Sequence, residues 1–589
     1  MRYAIRLFFL IPALLPAQRP PEFDAAVETG VVVPMRDGVK LATDIYRPAR
    51  AGSPAEGRFP AVIYRTPYNK DGQKAAGTFL ARHGYVVLVQ DVRGRFASEG
   101  DFYAFVNEGL DGYDTIEWAA AQPWSDGKVG TAGGSYLAWD QYHAAMYQPP
   151  HLAACYAEVG GANFIEEYGH PGGVPNLGWP IWMLRQAETG QEAARNPEAK
   201  KKLAETGQNP RPWLVLHPMK RAEVFDGTPS FRKLYEDFYS HTELDSYWKQ
   251  RGFYTIGYHK EMKDVPILFV SGWYDYFLEG VLDNFAGLTR LQKSPKYLMV
   301  GPWPHGIGQP ECGDASFGPE ARRAGIELAL AWFDHWLKGM PLAGFGAERV
   351  QLFRMGGGAG GSGASGRRNH GGAWMKVAAW PPPGARPVEY LIGAGGRLGR
   401  TVVAAGEKPS TFVYDPANPA PTMGGRYSNC AQNQTGTRPD VLTFLTPPLE
   451  APVEVTGKVR AKLWISSDAV DTDFTAKLVD VYPDGYAMLI TDGQLRTRYR
   501  DGHTKPVLMK PGTPYEITID LGSTSNLFAG GHRIRLDISS SNFPESDPNP
   551  NTGEPAGRWT RRVKATNTVY HDATRHSRLE LPVRAAAGR

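Results

Sequence analysis

The stretch that decides the fold spans residues 128–136 and reads Lys128-Val129-Gly130-Thr131-Ala132-Gly133-Gly134-Ser135-Tyr136. Its first residues predict a short strand, and residues 136–147 predict a helix that follows at once. The glycines allow a tight strand-to-helix turn with Ser135 at its apex. Such a turn exposes the hydroxyl above a sheet, beside a helix N-terminus that favours developing negative charge. The strict Gly-x-Ser-x-Gly pattern is not met, and the motif alone is equally consistent with a simple Gly-Ser turn.

Strands and helices alternate on both sides of this turn. An Asp-Gly turn joins two β-rich runs at 31–41 into a predicted hairpin. The uninterrupted apolar runs are typical of parallel strands covered on both faces, so we predict an open, mostly parallel α/β domain. Further predicted strands lie at 61–64, 85–90, 152–159, 265–270 and 296–300, and predicted helices at 73–83, 107–121, 280–292 and 320–338.

The N-terminus has the pattern of a secretory leader. Arg2 and Arg6 precede a short apolar run, which ends before a small residue at a cleavage point. We therefore predict a signal peptide over residues 1–17 and a secreted or periplasmic protein, a buried N-terminal helix being the alternative. No later stretch is long and apolar enough to predict a membrane-spanning helix.

The pattern of predicted helices and strands along the rest of the chain indicates two domains, the first of which is interrupted by an insertion. An α/β-hydrolase domain in two parts is interrupted by a helical cap, and a C-terminal β jelly-roll domain with many short alternating strands follows. A Gly-rich loop at 356–366 lacks the Gly-Lys-Ser/Thr ending of a phosphate-binding loop and is interpreted as a linker or surface loop. The predicted bounds are 18–160 and 261–350 for the α/β-hydrolase domain, 161–260 for the cap and 351–589 for the C-terminal domain.

Composition excludes several classes of function. Lys and Arg number 65 against 61 Asp and Glu, with no clustered basic run, so we predict no nucleic-acid partner. Three cysteines, Cys155, Cys312 and Cys430, allow one disulfide at most and form no zinc-ribbon spacing. No two isolated histidines have ligand spacing, so no metal and no cofactor are predicted. The oligomeric state stays open.

Two further residues are candidates to form a catalytic triad with Ser135. Asp275 follows the predicted strand 265–270, and His305 follows the predicted strand 296–300. Open α/β sheets place their sites at the carboxyl ends of strands. The order Ser, Asp, His along the chain is that of α/β-hydrolases.

These segments resemble the cocaine esterase-like (CocE/NonD) family of serine hydrolases, which includes X-Pro dipeptidyl-peptidases, α-amino acid ester hydrolases and cephalosporin acylases. The resemblance covers nearly the whole chain after the leader, and residues 440–585 resemble the family's C-terminal jelly roll. The matching segments are Arg65-Thr66-Pro67-Tyr68, Asp91-Val92-Arg93-Gly94, Gly133-Gly134-Ser135-Tyr136, Gly272-Trp273-Tyr274-Asp275 and Gly301-Pro302-Trp303-Pro304-His305.

The resemblance implies a role for each matching residue. Ser135 would be the nucleophile, His305 the general base and acid, and Asp275 the residue that orients His305. The Tyr136 backbone N–H and the Tyr68 hydroxyl would form the oxyanion hole. Ala138 stands where the family usually has glycine, and alanine is still small enough for the turn.

Aromatic residues near these positions are candidates for the substrate pocket. We predict Trp139, Trp273, Phe277 and Trp303 as pocket residues, with packing behind the triad as the alternative for Trp273 and Trp303. Asp91 and Arg93 are predicted to form an ion pair near the site.

The resemblance also bears on the substrate. Family members that require a free α-amino group hold it with carboxylates two and three residues after the triad Asp, where this chain has Phe277 and Leu278. Glu166 and Glu167 could replace those carboxylates, although adjacent glutamates more often form a solvated face.

The sequence therefore predicts a secreted serine hydrolase that cleaves small acyl esters or amides, including short peptides, through an acyl-enzyme. The alternative is an X-Pro dipeptidyl-peptidase that releases N-terminal dipeptides. A third hypothesis is binding rather than catalysis: the β-rich C-terminal third of the chain would be a carbohydrate- or surface-binding module attached to an inactive hydrolase.

Overall fold

The structure is a computed structural model that describes residues 19–345, 348–363, 366–401, 407–422, 431 and 438–584. The predicted signal peptide, Cys430 and residues 364–365 of the Gly-rich loop lie outside the described residues. Cys155 is a buried free thiol, and Cys312 is disulfide-bonded.

The first part of the chain builds a parallel sheet flanked by helices. Its strands are β1 (Asp24–Pro34), β2 (Lys40–Arg50), β3 (Ser53–Pro54), β4 (Phe59–Thr66), β5 (Val86–Asp91), β6 (Ser125–Gly134), β7 (Leu152–Glu158), β8 (Ile267–Gly272) and β9 (Lys296–Gly301). The helices, in chain order, are α1 (Lys74–Arg82), α2 (Glu108–Ala120), α3 (Tyr136–Ala145), α4 (Gly178–Glu188), α5 (Gln191–Ala194), α6 (Pro197–Gln208), α7 (Arg211–Leu214), α8 (Pro218–Ala222), α9 (Pro229–Ser240), α10 (Leu278–Leu291) and α11 (Gly325–Lys338).

The hydrogen-bonded order of this sheet is β1-β2-β5-β4-β6-β7-β8-β9. β1 and β2 form the predicted antiparallel hairpin, and the strands from β5 to β9 run parallel. β5 and β8 are buried along their whole length, as expected of strands covered on both faces. The predicted α/β architecture is therefore confirmed.

Helices α4 to α9 lie between β7 and β8, where the sequence predicts the cap. Their apolar faces pack into a core shared with the sheet, because large side chains such as Leu203, Phe225 and Phe238 are completely buried. No helix in the described part of the chain has both the length and the apolarity needed to cross a membrane.

The remaining strands follow β9, and most of them form the β-rich C-terminal part. They are β10 (Glu311–Cys312), β11 (Ala315–Ser316), β12 (Val350–Gly356), β13 (Arg368–Asn369), β14 (Gly372–Val377), β15 (Ala385–Gly393), β16 (Arg397–Gly399), β17 (Ser410–Tyr414), β18 (Leu442–Leu445), β19 (Val453–Ser467), β20 (Asp473–Val481), β21 (Ala487–Arg496), β22 (Tyr515–Phe528), β23 (Arg533–Ser539), β24 (Ala565–Tyr570) and β25 (Arg578–Arg584). Long antiparallel ladders such as β19–β22 and β20–β21 dominate it. The jelly-roll topology stays a prediction.

β12 connects the two parts of the molecule. It pairs in parallel with β9, through Val350 opposite Leu298, and further along with β22, through Met355 opposite Asn526. The predicted boundary at 350/351 thus falls at the start of a strand that extends the parallel sheet and continues into the C-terminal part.

The cap is also tied to the C-terminal part by a buried ion pair. Arg221 on α8 is completely buried, and its guanidinium lies 2.6 Å from the Asp547 carboxylate. Tyr239 on α9 donates to the same carboxylate at 3.0 Å.

We expect Arg221→Met to destabilise the protein, because it leaves Asp547 as a largely buried carboxylate without its cation. Removing one partner of a buried pair typically lowers the free energy of unfolding by about 3–5 kcal/mol. The midpoint of urea unfolding, followed by tryptophan fluorescence, should fall. The control is Arg232→Met on α9, whose partly exposed ion pair with Glu236 should contribute little. Equal midpoints for the two variants would contradict this assignment.

Candidate active site

Ser135 occupies the turn between β6 and α3, as the sequence predicts. Its backbone has φ +59° and ψ −122°, a left-handed conformation that non-glycine residues rarely adopt. The Ser135 N–H donates to the Glu158 carbonyl at the end of β7, at 2.9 Å, and this bond holds the turn in place. The hydroxyl consequently projects from the carboxyl edge of the parallel sheet.

The turn needs small neighbours because the backbones approach closely. A Cβ on Gly133 would lie 2.5 Å from the Leu137 Cβ. Ala138 is fully buried and faces Gly160, where a Cβ would come within 2.6 Å of its methyl group. The alanine that departs from the family pattern is accommodated because a glycine stands opposite.

The predicted triad residues meet at this edge of the sheet. The His305 Nε2 lies 2.8 Å from the Ser135 Oγ, and its Nδ1 lies 2.9 Å from the Asp275 Oδ1. Asp275 also accepts hydrogen bonds from the Ser271 hydroxyl at 2.9 Å and the Phe277 N–H at 3.1 Å. A buried carboxylate with these donors can hold the imidazole in the tautomer that leaves Nε2 free to accept the serine proton.

Aromatic rings enclose the imidazole. The Tyr276 ring stacks on His305 with centroids 4.1 Å apart, and the Phe277 ring meets it edge-on at 5.6 Å. The His305 side chain remains 20% exposed, so a substrate can reach it from one side.

The two predicted oxyanion residues lie beside Ser135. Tyr136 is the first residue of α3, so its backbone N–H has no acceptor within the helix. The Tyr68 hydroxyl accepts a hydrogen bond from the Trp182 indole at 3.1 Å. Burial of this phenol raises the pKa of Tyr68 to about 12, an increase that hydrogen bonds with Trp182 and Ser135 partly offset. Tyr68 is therefore a neutral donor at physiological pH.

The predicted pocket residues lie behind the site rather than on its open surface. Trp139 and Trp303 are completely buried, and Trp273 and Phe277 are each 3% exposed. Trp273 donates to the Phe353 carbonyl in β12, and Trp303 donates to the Ala321 carbonyl. Both indoles are therefore part of the buried core. Of the four, Phe277 alone contacts a triad ring.

None of the aromatic residues that the cleft does present was predicted as a pocket residue, although Tyr68 was predicted for the oxyanion hole. They are the partly exposed rings of Tyr68 and Tyr276, which lie in loops after β4 and β8, and of Trp182, which lies on α4 of the cap. Phe102 and Tyr168 pack behind them. Residues of the cap carry no periodic signal that marks which of them face the site.

The predicted ion pair between Asp91 and Arg93 is wrong. Arg93 instead binds Asp111 at 2.6 Å and Asp37 at 2.7 Å, while Asp91 accepts the Lys70 N–H at 2.7 Å. Both residues still brace the loops at the carboxyl edge of the sheet.

Glu166 and Glu167 do not form a solvated face. Glu167 is buried and accepts the Ala162 and Asn163 N–H groups, and Glu166 lies 2.8 Å from the His503 Nδ1 of the C-terminal part. Both line a cavity of about 360 Å³ whose lining includes Tyr276, the ring that stacks on His305. Its carboxylates are Glu166, Glu167, Glu279, Asp283, Asp492, Asp520 and Glu545, with Lys458 as its lining cation. Within the described residues, no group of three or more His, Cys, Asp or Glu side chains is arranged to hold a metal ion.

Glu158 is a titratable group directly beneath the serine turn. Its carboxyl accepts the Tyr156 hydroxyl at 2.5 Å and packs against Gly134 and Gly325. Burial raises the pKa of Glu158 to about 7, from an ordinary value of 4.5. Between these two pH values the folded state binds more protons than the unfolded state, so the free energy of unfolding falls as pH rises.

We expect Glu158→Gln to remove this pH dependence. The variant should match the wild type near pH 4.5 and exceed its free energy of unfolding at pH 8 by on the order of 2 kcal/mol. Urea unfolding at both pH values measures the difference. Glu205→Gln, on the exposed face of α6, is the control and should change neither value. A variant that differs from the wild type equally at both pH values would overturn the assignment.

Comparison with known proteins shows which families the chain resembles. Residues 37–307 match the family model described as X-Pro dipeptidyl-peptidase (S15 family), and residues 344–580 match the X-Pro dipeptidyl-peptidase C-terminal non-catalytic domain. A cocaine esterase from Rhodococcus sp. (strain MB1 Bresler) is 34% identical over 594 residues, covering 95% of this chain and 98% of the relative.

Solved structures show the same fold at lower identity. A selenomethionine-labelled α-amino acid ester hydrolase superimposes with a TM-score of 0.79 at 24% identity, over 98% of this chain and 100% of that one. An aminopeptidase from the marine sediment archaeon Thaumarchaeota archaeon gives 0.79 at 23% identity, over 97% and 99%. The α/β-hydrolase architecture with a C-terminal non-catalytic domain is thereby confirmed. The chain belongs to the S15 family of serine hydrolases, together with cocaine esterase.

Proposed function

We propose that this serine hydrolase cleaves acyl esters or amides through a covalent acyl-enzyme on Ser135. The observation that carries the proposal is the continuous hydrogen-bonded chain from Ser135 through His305 to Asp275, at 2.8 and 2.9 Å. A serine hydroxyl is a weak nucleophile until an adjacent base accepts its proton.

The proposed reaction runs in two halves. The Ser135 Oγ attacks the substrate carbonyl carbon while its proton passes to the His305 Nε2, and the carbonyl oxygen becomes an oxyanion. The imidazolium then gives the proton to the leaving alcohol or amine as that bond breaks, leaving the acyl group on Ser135. Water repeats the sequence, returning the acid product and the free hydroxyl.

The oxyanion is the species that the site must stabilise. The Tyr136 N–H and the Tyr68 O–H are the two proposed donors, and the α3 N-terminus adds a favourable dipole. Because the phenol pKa is raised, Tyr68 keeps its proton through the reaction.

A second candidate is an X-Pro dipeptidyl-peptidase or another hydrolase that requires a free amine on its substrate. It is favoured by the acidic cavity whose lining includes Tyr276, the ring that stacks on His305. An aminopeptidase and an α-amino acid ester hydrolase are also among the structural neighbours. The leading proposal is retained because Phe277 and Leu278 occupy the positions of the family's amine-binding carboxylates.

Paired substrates separate the two candidates. We expect p-nitrophenyl butyrate to be hydrolysed with a kcat/KM at least equal to that of its 2-amino analogue, and faster than Gly-Pro-p-nitroanilide. The Ser135→Ala variant, which removes the nucleophile, should lose several orders of magnitude, up to ~10⁶, on every substrate with an unchanged melting curve. A preference of ~100-fold or more for the amino substrate would favour the second candidate.

We expect Asp275→Asn to lower kcat by ~10⁴, because the amide favours the imidazole tautomer that cannot accept the serine proton. Steady-state hydrolysis of p-nitrophenyl butyrate measures the effect. Asp264→Asn is the matched control, since Asp264 lies near the opposite end of β8 and accepts backbone N–H groups of residues 293 and 294. Wild-type kcat in Asp275→Asn would refute the role of this carboxylate.

A further inference from the structure

One cap residue, Trp182 on α4, contacts both residues that the proposed mechanism uses as oxyanion donors. Its indole N–H donates to the Tyr68 hydroxyl oxygen at 3.1 Å. Its ring lies parallel to the Tyr136 ring, with centroids 6.1 Å apart and planes 7° apart. Trp182 thus contacts both proposed oxyanion residues.

Tyr68 stands in a loop, so the direction of its hydroxyl depends on contacts with neighbouring side chains. The residue is 39% exposed and stands in the loop after β4, where its backbone N–H donates to the Thr66 hydroxyl. Its ring meets the Tyr136 ring edge-on at 6.3 Å, and its hydroxyl accepts the Trp182 N–H. An oxyanion donor stabilises the transition state only if it is already in place when the charge develops.

Trp182, by contrast, is held on a rigid platform. Its ring stacks on the buried Trp179 with centroids 4.4 Å apart, and Phe102 packs against it at 6.4 Å. The start of α4 is fixed by the Leu177 N–H, which donates to the Glu545 carbonyl of the C-terminal part at 2.8 Å. The position of the indole N–H is therefore set by the packing of the cap.

The hydrogen bond has a chemical consequence as well as a geometric one. A phenol oxygen that accepts an N–H has a more polarised O–H, which makes it a stronger donor to the next acceptor. The effect on acidity runs in the same direction, since the Trp182 bond opposes the rise in the pKa of Tyr68 that burial causes.

We propose that Trp182 is a positioning residue of the oxyanion hole, whose indole N–H holds the Tyr68 hydroxyl toward the reacting carbonyl oxygen. Through Trp182, the cap would influence kcat without contacting the reacting atoms. This inference rests on the proposed acyl-enzyme mechanism.

The test is a double-mutant cycle on p-nitrophenyl butyrate hydrolysis. Trp182→Phe removes the N–H and keeps an aromatic ring, and we expect kcat to fall about 3- to 10-fold, with KM within about twofold. Tyr68→Phe should lower kcat ~10²–10³-fold. In the Tyr68→Phe background, Trp182→Phe should cause no further loss, since the hydroxyl it positions is gone.

Two further variants test whether a loss of packing alone explains the fall in kcat. Trp182→His retains a ring N–H, because its Nε2 occupies the place of the indole Nε1 in the five-membered ring, and should recover most of the wild-type kcat. Trp336→Phe makes the same change on α11, where the ring packs against Trp332 and His335, and should leave kcat nearly unchanged. Melting temperatures confirm that each variant is folded.

The outcomes are distinct. The same fold-loss from Trp182→Phe in both backgrounds, or wild-type kcat in Trp182→Phe, would overturn the positioning role while leaving the acyl-enzyme mechanism intact. Hydrolysis retained by Ser135→Ala in the same assay would instead refute the mechanism on which the inference rests.

Discussion

The left-handed backbone of Ser135 is the constraint on which the site depends. A φ of +59° places the hydroxyl above the sheet edge and points the start of α3 at the same space. The strain is sustained by the Ser135 N–H bond to Glu158 and by the absence of side chains at Gly133 and Gly160. Neighbouring structure that over-determines a strained residue is the usual condition for its persistence at a functional site.

Around this turn, the parallel sheet delivers each catalytic candidate from a separate strand. β8 leads to Asp275 and β9 to His305, so their meeting follows from strand order and not from nearness in sequence. The cap adds the aromatic ring of Trp182 beside the site, and polar contacts join the cap to the C-terminal part. Contacts of Arg221 with Asp547, and of Glu166 with His503, join the cap to the C-terminal part. The shape of the cleft is therefore a property of the whole chain.

The sheet and its helices could be predicted because the apolar runs that form them are continuous and bounded by turns. Asp275 and His305 could be predicted because parallel strands bring their carboxyl ends to one edge. The pocket could not be predicted in the same way. Trp273 and Trp303 adjoin the triad in sequence, yet their indoles point to carbonyls of Phe353 and Ala321 in the core, since the chain turns sharply after each strand.

Residues of the cap were the least predictable, because their roles arise from tertiary contacts. Nothing in the local sequence of Trp182 distinguishes it from Trp179, although one reaches Tyr68 and the other is buried beneath it. Glu166 and Glu167 likewise look like surface charges until the C-terminal part covers them. The strands β20 to β23 of the C-terminal part begin more than 300 residues after these glutamates in the sequence.

The most direct test of the central claim is to trap the covalent intermediate. The enzyme is mixed with excess p-nitrophenyl butyrate, quenched in acid within a turnover, digested and mapped by mass spectrometry. The account predicts a butyryl group on the peptide that contains Ser135, and its loss in Ser135→Ala. A wild-type enzyme that turns over the ester at full rate with no acyl group on Ser135, or with one on another residue, would contradict it.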